Sequence, residues 1–567
     1  MRDNALWIIL QRLRIPLIVI IVTYAIAILG MVLIPGWDGE KAYHLTFFDA
    51  FYFISYTAST IGFGETPYEF TYSQRLWVVI CIYLTVIGWF YTIGALVAII
   101  SDKTLKHELM KGRFRRHVQK LKSDFIIILG YNHVNAEIIR KLTLAGIEVV
   151  LIDHDADRIN LFKLEESSMG VPVMVGNALL SSTLKDAGVN SPYCKAVVAH
   201  FYKEDKNLRI TILTRFLNEN VNVITKATLR DTMTALLDTD IAKVENPFEI
   251  FAKRFDIALT APHILTLENW IYKNSDLADE ASFLPQGRYI ICGYGRLGKV
   301  IKEKLDKHGM DYIIIDEKGI GTKEMIKNET FIRANADDKE VLLTAGIESA
   351  SVLVAGTQND IDNISILITA RKLNPELYLI ARENTMKEIS IFEATNANWL
   401  FMIEKILINK TSLQLSQPLK HSFLKKILYQ DEEWGTSLVN LLKAQLGSNP
   451  QLLHLTINEE KAYAIYHALQ EGEPIGLNIL LKSLEDWTNY HKAIPLFLKR
   501  NGDEFLLPCN ENLEIGDEIL FACDALSREE IEIIALNVYD LHYVRTGEEV
   551  QNWLLQKIFN IKNKNQS

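Results

Sequence analysis

Residues 46–65 read TFFDAFYFISYTASTIGFGE, an apolar, aromatic run that ends in glycines at alternate positions, Gly62 and Gly64. The run is too short to cross a bilayer but long enough to enter one and return. Thr46 with Asp49 three residues later has the spacing of a helix N-terminal cap. A short helix is therefore predicted to start there and descend into the membrane. Non-helical backbone at membrane depth is tolerated only where protein shields it or where it lines a wet path. Carbonyls that all face one axis require alternating right- and left-handed backbone, which glycine adopts without steric cost.

The flanks of this stretch place it. Ile15–Ile34 and Leu76–Ile100 are runs of 20 and 25 residues without a charged side chain, each long enough to span. The first is too long for a signal-peptide core and lacks a small-residue cleavage site, so both belong to the mature protein. Arg12 and Arg14, with Arg2 against Asp3, precede the first span. Eight bases against Asp102 and Glu108 follow the second, within residues 101–122. The positive-inside rule puts both ends of the membrane unit in the cytoplasm. The connector holds five acids and two bases, so the outer face attracts cations.

The whole chain is 567 residues with net charge −10, 49% hydrophobic, mean hydropathy +0.07. Residues 1–122 carry 13 bases and 8 acids, which leaves about −15 on residues 123–567. Such a region is a poor nucleic-acid binder. The five cysteines, Cys81, Cys194, Cys292, Cys509 and Cys523, are scattered without metal-ligand spacing and read as reduced core thiols.

Beyond residue 122 the chain repeats itself. FIIILGYNHVNAEIIRKLTLAGIEVVLID (125–153) aligns with RYIICGYGRLGKVIKEKLDKHGMDYIIID (288–316) at an offset of 163. Gly176-Asn177-Ala178 aligns with Ala334-Asn335-Ala336, and Asn207–Arg215 with Asn363–Arg371. Apolar run, glycine turn, helix, apolar run and acid is the opening of a doubly wound parallel sheet. In the second copy the turn is a full G-x-G-x-x-G, Gly293-Tyr294-Gly295-Arg296-Leu297-Gly298, and Asp316 ends the next strand. Such a loop admits a pyrophosphate at a helix N-terminus, and the acid accepts ribose hydroxyls. Asn335 is grouped with this site, and Asp316 disfavours a 2′-phosphate. In the first copy Gly130 and Asp153 remain, while Asn132 and Asn135 replace the second and third glycines, where their side chains would crowd a pyrophosphate. Gly130, Asn132, Asp153 and Asn177 mark a second candidate site, either empty or holding a mononucleotide. Asn132 would there tolerate left-handed backbone.

The filter stretch Thr60-Ile61-Gly62-Phe63-Gly64 resembles the potassium-channel TVGYG, with Ile61 for valine, Phe63 for tyrosine and Glu65 for the commoner aspartate. The repeats resemble the RCK domain, or Trk-type N-terminal domain, and residues near Gln451–Asp524 with Ile515-Gly516-Asp517 resemble its C-terminal partner. The resemblance implies a two-span α-helical pore module with a re-entrant pore helix, two Rossmann-like α/β RCK domains and a small α+β lobe. The expected boundaries are 1–103 for the pore module, 104–122 for a basic linker, 123–286 and 287–449 for the two RCK domains with their helical crossovers, and 450–567 for the final lobe. Asn246–Tyr272 and Trp399–Leu415 are the expected crossovers.

It further implies a homotetramer in the cell membrane with cytoplasmic RCK domains. K+ would be bound by carbonyls of Thr60, Ile61, Gly62 and Phe63. Gly88 would be a hinge or a packing glycine; Ala95, Leu96 and Ile99 would approach the axis, with Leu96 as the constriction. NAD or an adenine nucleotide is the expected regulator. Ca2+ is a further one, at Asp153, Asp155 and Asp157 or at Asp431–Glu433. The competing classes are a weakly selective cation channel, a membrane-tethered NAD-dependent oxidoreductase and a regulatory subunit. No catalytic constellation can be placed by spacing, so covalent chemistry is not expected.

Overall fold

The computed structural model describes residues 4–549 apart from 280–282, 319–321, 385–388 and 509–510; Arg2, Asp3, Cys509 and residues 550–567 of the expected final lobe lie outside the described residues. The chain forms two units, one ending near Lys122 and one comprising most of the remainder.

The first unit is built from helices Asn4–Leu33, Phe47–Ala58, Tyr72–Ser101 and Lys103–Val118, with a small antiparallel pair, β1 (Gly36–Trp37) and β2 (Ala42–Tyr43). The windows Leu13–Leu33 and Tyr72–Ser101 are long and apolar enough to cross a membrane, yet only 22% and 17% of them is buried within the chain. Their apolar surface faces outward, as lipid or further chains require. The two long helices touch where Gly30 leaves room for Trp77: a Cβ on Gly30 would stand 2.0 Å from the indole. Thr46 caps the short helix, its hydroxyl accepting from the Asp49 N–H at 3.2 Å and donating to the Asp49 carboxylate at 2.6 Å.

The second unit contains two six-stranded sheets. The first is ordered β5-β4-β3-β6-β7-β8, made of β3 (Phe125–Leu129), β4 (Glu148–Asp153), β5 (Val173–Val175), β6 (Cys194–Ala199), β7 (Asn222–Lys226) and β8 (Ala242–Glu245). The second repeats the order as β11-β10-β9-β12-β13-β14, all parallel. Its strands are β9 (Tyr289–Cys292), β10 (Tyr312–Ile315), β11 (Phe331–Ile332), β12 (Val352–Ala355), β13 (Tyr378–Glu383) and β14 (Trp399–Met402). The strands nearest each centre are buried on both faces, which accounts for their continuous apolar runs. A third, antiparallel sheet, β15-β18-β16-β17, follows: β15 (Gln451–Thr456), β16 (Ala493–Arg500), β17 (Asp503–Leu506) and β18 (Glu518–Cys523). Its Ile515-Gly516-Asp517 turn needs Gly516 for a φ of +94°. Asp517 holds that turn, accepting from the Glu514 N–H and from Arg500.

The expected crossover at Trp399–Leu415 requires a correction. Trp399–Met402 is the edge strand β14, paired with β13, and the helix starts at Ile403. The continuous apolar run Trp399-Leu400-Phe401-Met402 suits a short strand as well as the start of a helix.

Each copy lends its crossover to the other. Helix Pro247–Thr260, after β8, packs on helix Arg296–Lys307 of the second copy; helix Ile403–Ser416, after β14, packs on His133–Leu144 of the first. Phe248, Phe251 and Phe255 share a buried core with Leu297, Ile301 and Leu305, each set spaced for one helix face. Phe251 and Phe401 rings lie 4.4 Å apart.

Under the second contact Glu245, 1% exposed, accepts from the Thr411 hydroxyl at 3.0 Å and lies 3.8 Å from His200. Burial pushes the Glu245 carboxyl up to about 7 and, with Lys226, pushes His200 down to about 3. The folded chain thus keeps a Glu245 proton that the unfolded chain has released, so this group's contribution to stability falls as pH rises from its ordinary range through about 7. His200 has the opposite slope at lower pH, common to wild type and variant. Glu245→Gln, which still accepts from Thr411, is expected to melt with wild type at pH 5 and a few degrees above it at pH 8, read by thermal unfolding of the full chain.

Candidate functional site: pore segment and glycine turns

After the short helix the backbone alternates in hand: φ is +62° at Thr60, +67° at Gly62 and +101° at Gly64. The glycines were expected to do this; Thr60 joins them, a costly conformation for a β-branched residue that its surroundings must hold. Much of the hold is Tyr56, which the sequence reading had not singled out. Its carbonyl accepts from the Ile61 N–H at 3.0 Å, and its hydroxyl donates to the Gly64 carbonyl and lies 3.2 Å from Thr66 Oγ1. Its ring stands edge-on to Phe63 at 5.5 Å. Glu65 closes the segment, accepting from Arg75 at 2.8 and 2.9 Å and from the Phe70 N–H at 2.8 Å. Within the chain Thr60–Gly64 are braced from behind and exposed in front.

Helix Tyr72–Ser101 runs through Gly88 without a break. A Cβ on Gly88 would sit 3.0 Å from Thr23 Oγ1, so this glycine packs the two long helices. Cys81, Thr85, Gly88 and Ile99 form one buried stripe. Ile99, expected near the axis, therefore faces the chain's own interior, and Ala95 lies on the same stripe. Leu96 stays 45% exposed. Rotational phase is set by the partner helix, which an all-apolar sequence does not encode.

In the second copy the three glycines divide the work. Gly293, at φ +102°, lies against the end of β12: its Cβ would be 3.1 Å from Gly356 and Thr357 backbone. Gly298 lets the helix sit on the loop, since its Cβ would be 2.1 Å from the Gly293 carbonyl oxygen. Gly295 faces open space, where a phosphate would approach. Leu297 is fully buried behind them. Asp316 accepts from the Tyr294 N–H at 2.7 Å and the Lys318 N–H at 2.9 Å, tying strand end to glycine turn. Asn335 accepts from the Asp337 N–H at 3.0 Å.

Arg296, at the start of that helix, reaches back to the first copy. It donates to Thr228 Oγ1 at 2.6 Å and lies over the Phe248 ring at 4.7 Å. Arg382, 5% exposed at the end of β13, lies over the same ring at 5.4 Å. Burial, and then Arg296, push Arg382 down to about 10. The sequence carried a signal for Arg382: it aligns with Lys226 at an offset of 156, a base closing an apolar strand in both copies.

The first copy corrects two expectations. Asn132 is extended, at φ −141°, and caps the helix by accepting from the Asn135 N–H at 2.9 Å; the left-handed residue is Gly130, at φ +87°. Asn135 does not project toward a ligand. It is buried and donates to the Leu129 and Gly130 carbonyls at 3.2 and 2.6 Å, where Gly298 makes its close approach in the second copy. The N–H at Asn135, otherwise available to a phosphate, is thus already bonded. Asp153 accepts from the Tyr131 and Asp155 N–H groups at 2.6 and 2.7 Å, and Asn177 from the Leu179 N–H at 3.0 Å.

Of the acids considered for Ca2+, Asp155 and Asp431 are helix caps, accepting from the Asp157 and Trp434 N–H groups. Among the described residues no group of three or more His, Cys, Asp or Glu side chains is arranged to hold a metal ion.

Gly298→Ala is expected to cost about 1–3 kcal/mol, because backbone rather than a flexible side chain occupies the new methyl's place. Asn135→Ala strands two buried carbonyls and should cost a similar ~1–3 kcal/mol. Thermal unfolding of both variants checks this.

Residues 12–102 match the ion-channel family model, and residues 126–247 and 289–402 each match the TrkA-N domain; together they span more than half of the chain. Potassium channel protein 1 of Methanocaldococcus jannaschii is 39% identical over 97 residues, 17% of this chain and 29% of that relative. Probable potassium channel protein 2 of the same organism is 37% identical over 114 residues, 19% and 33% of the two chains. The chain thus spans about a third or less of the length of these relatives. The solved GsuK channel bound to NAD aligns over 94% of this chain and 99% of its own, at 15% identity and TM-score 0.48. The chain therefore joins a domain of the ion-channel family to two TrkA-N, or RCK, domains, and is similar in part to potassium-channel proteins.

Proposed function

We propose that the protein is a homotetrameric, potassium-selective channel of the cell membrane, gated by NAD or another adenine nucleotide bound at the second RCK copy. The observation that carries the conduction half is the left-handed backbone at Thr60, Gly62 and Gly64, braced by Tyr56 and Glu65. In a four-fold assembly, rings of carbonyls from Thr60, Ile61, Gly62 and Phe63 replace the hydration shell of K+. The Tyr56 brace favours selectivity over the weakly selective reading, because it supplies from the pore helix a hydroxyl that Phe63 lacks. Leu96 is the constriction. The basic segment after the second span orients the RCK copies toward the cytoplasm.

For the ligand, Gly295 leaves the approach open, the helix N-terminus receives the pyrophosphate, and Asp316 disfavours a 2′-phosphate. The first copy is a structural partner without a nucleotide. Phosphates at the second copy draw Arg296 off Thr228 and Phe248, which changes how the copies hold each other. Ligand work of about 1–3 kcal/mol per site is the scale required.

Potassium flux from proteoliposomes tests this. NAD or ADP on the RCK side should change the flux several-fold in wild type and leave Asp316→Ala and Arg296→Ala unresponsive with basal flux retained. Flux that ignores nucleotide in wild type contradicts the gating half. Glu65→Gln loses the charge in the bidentate Arg75 contact, and its reversal potential in mixed potassium and sodium should move toward sodium.

A further inference from the structure

A cavity of about 1510 Å³ opens at the amino-terminal ends of β3, β6 and β7, the opposite end of the first sheet from its glycine turn. Its far wall is helix Pro418–Ile427 and the end of helix Ile403–Ser416, both contributed by the second copy's crossover. Three lysines line it from three elements: Lys243 on β8, Lys410 on helix Ile403–Ser416 and Lys425 on helix Pro418–Ile427. Among the described residues none of the three is ion-paired. Of the cavity's other bases, Arg254 pairs with Glu268 at 2.8 Å, Lys195 with Asp124 at 3.3 Å and Lys499 with Glu518 at 3.7 Å, Lys253 lies over the Tyr429 ring at 3.4 Å, and Lys461 also lines the cavity.

His421, one turn before Lys425 on the same helix, lies among the three lysines, and its buried Nδ1 has no hydrogen-bond partner. Burial, and then Lys410, Lys243 and Lys425, push it down to about 4. Glu245, the acid that Lys410 faces, is held up to about 7 and so gives the lysines less than a full negative charge near neutral pH. Glu249 and Glu460 also line the cavity, without pairing to the lysines. These three lysines, gathered round an imidazole with an unpartnered buried nitrogen in a region carrying about −15 overall, make no ion pair among the described residues. The volume exceeds that of an ordinary small-molecule pocket and accommodates a nucleotide-sized molecule.

We propose that this cavity is a second ligand site, taking a compact phosphate polyanion, with Lys243, Lys410 and Lys425 on its phosphates and His421 as the buried donor. The site is independent of the glycine turns. Because its walls come from both copies, its occupant bears on the same copy-to-copy contact.

The test is calorimetric titration of the purified full-length protein with inorganic tripolyphosphate at low salt, a probe without base or ribose. One site per chain is expected. Lys410→Gln with Lys425→Gln should weaken binding at least about tenfold, and Lys425→Arg should bind as wild type does. ATP titrated into Asp316→Ala already holding tripolyphosphate separates the sources. Displacement indicates a nucleotide polyphosphate, and no displacement an inorganic chain; either supports the site. Should the double variant not assemble, Lys425→Gln alone, on an exposed position, still must weaken binding. Absence of tripolyphosphate binding, affinity unchanged in the lysine variants, or affinity lost only in Arg296→Ala would overturn the proposal.

Discussion

Within the core that the two copies share, one aromatic ring carries cations from the second copy. Phe248 belongs to the crossover that follows the first copy, and both cations over its face, Arg296 and Arg382, belong to the second. Each contact is worth about 0.5–2 kcal/mol when partly desolvated. That matches the scale of a ligand-driven coupling, about 1–3 kcal/mol. Arg296 follows the open glycine of the turn, so the group best placed to meet a phosphate is also a group holding the other copy.

The two copies show how one fold accommodates two different turns. In the second, Gly298 allows helix and loop to approach, and Gly295 leaves the space in front empty. In the first, Asn132 and Asn135 turn the same space into hydrogen bonds, one capping the helix and the other satisfying the strand-end carbonyls. Asp153 and Asp316 keep the same bond to the turn in both copies. The shared acid therefore serves the fold whether or not a ribose is present.

Much of this was legible in the residues, and the exceptions have a common cause. Periodicity, turn glycines and the repeat offset can be read along the chain, so the short helix, the left-handed glycines at 62 and 64 and both doubly wound sheets followed from them. What did not follow depends on a contact with another residue that local pattern does not encode. The Thr60 conformation rests on Tyr56, the facing of Ile99 rests on the first long helix, and β14 exists because β13 offers it an edge. Asn135 reads as an obstruction until its amide is seen to donate inward. Arg382 had a signal, a base at the matching strand end in both copies, but its target ring lies in another domain.

The most direct test of this account is the single-channel open probability of Phe248→Leu as ADP or NAD is raised on the RCK side, in a preparation whose nucleotide affinity is measured in parallel. Leucine keeps the apolar volume and removes the face on which both arginines rest. The account predicts nucleotide binding within a few-fold of wild type, with an open probability that no longer follows it. A full nucleotide response in that variant would contradict it, because the second copy would then be reaching the pore by a route that does not pass through this ring.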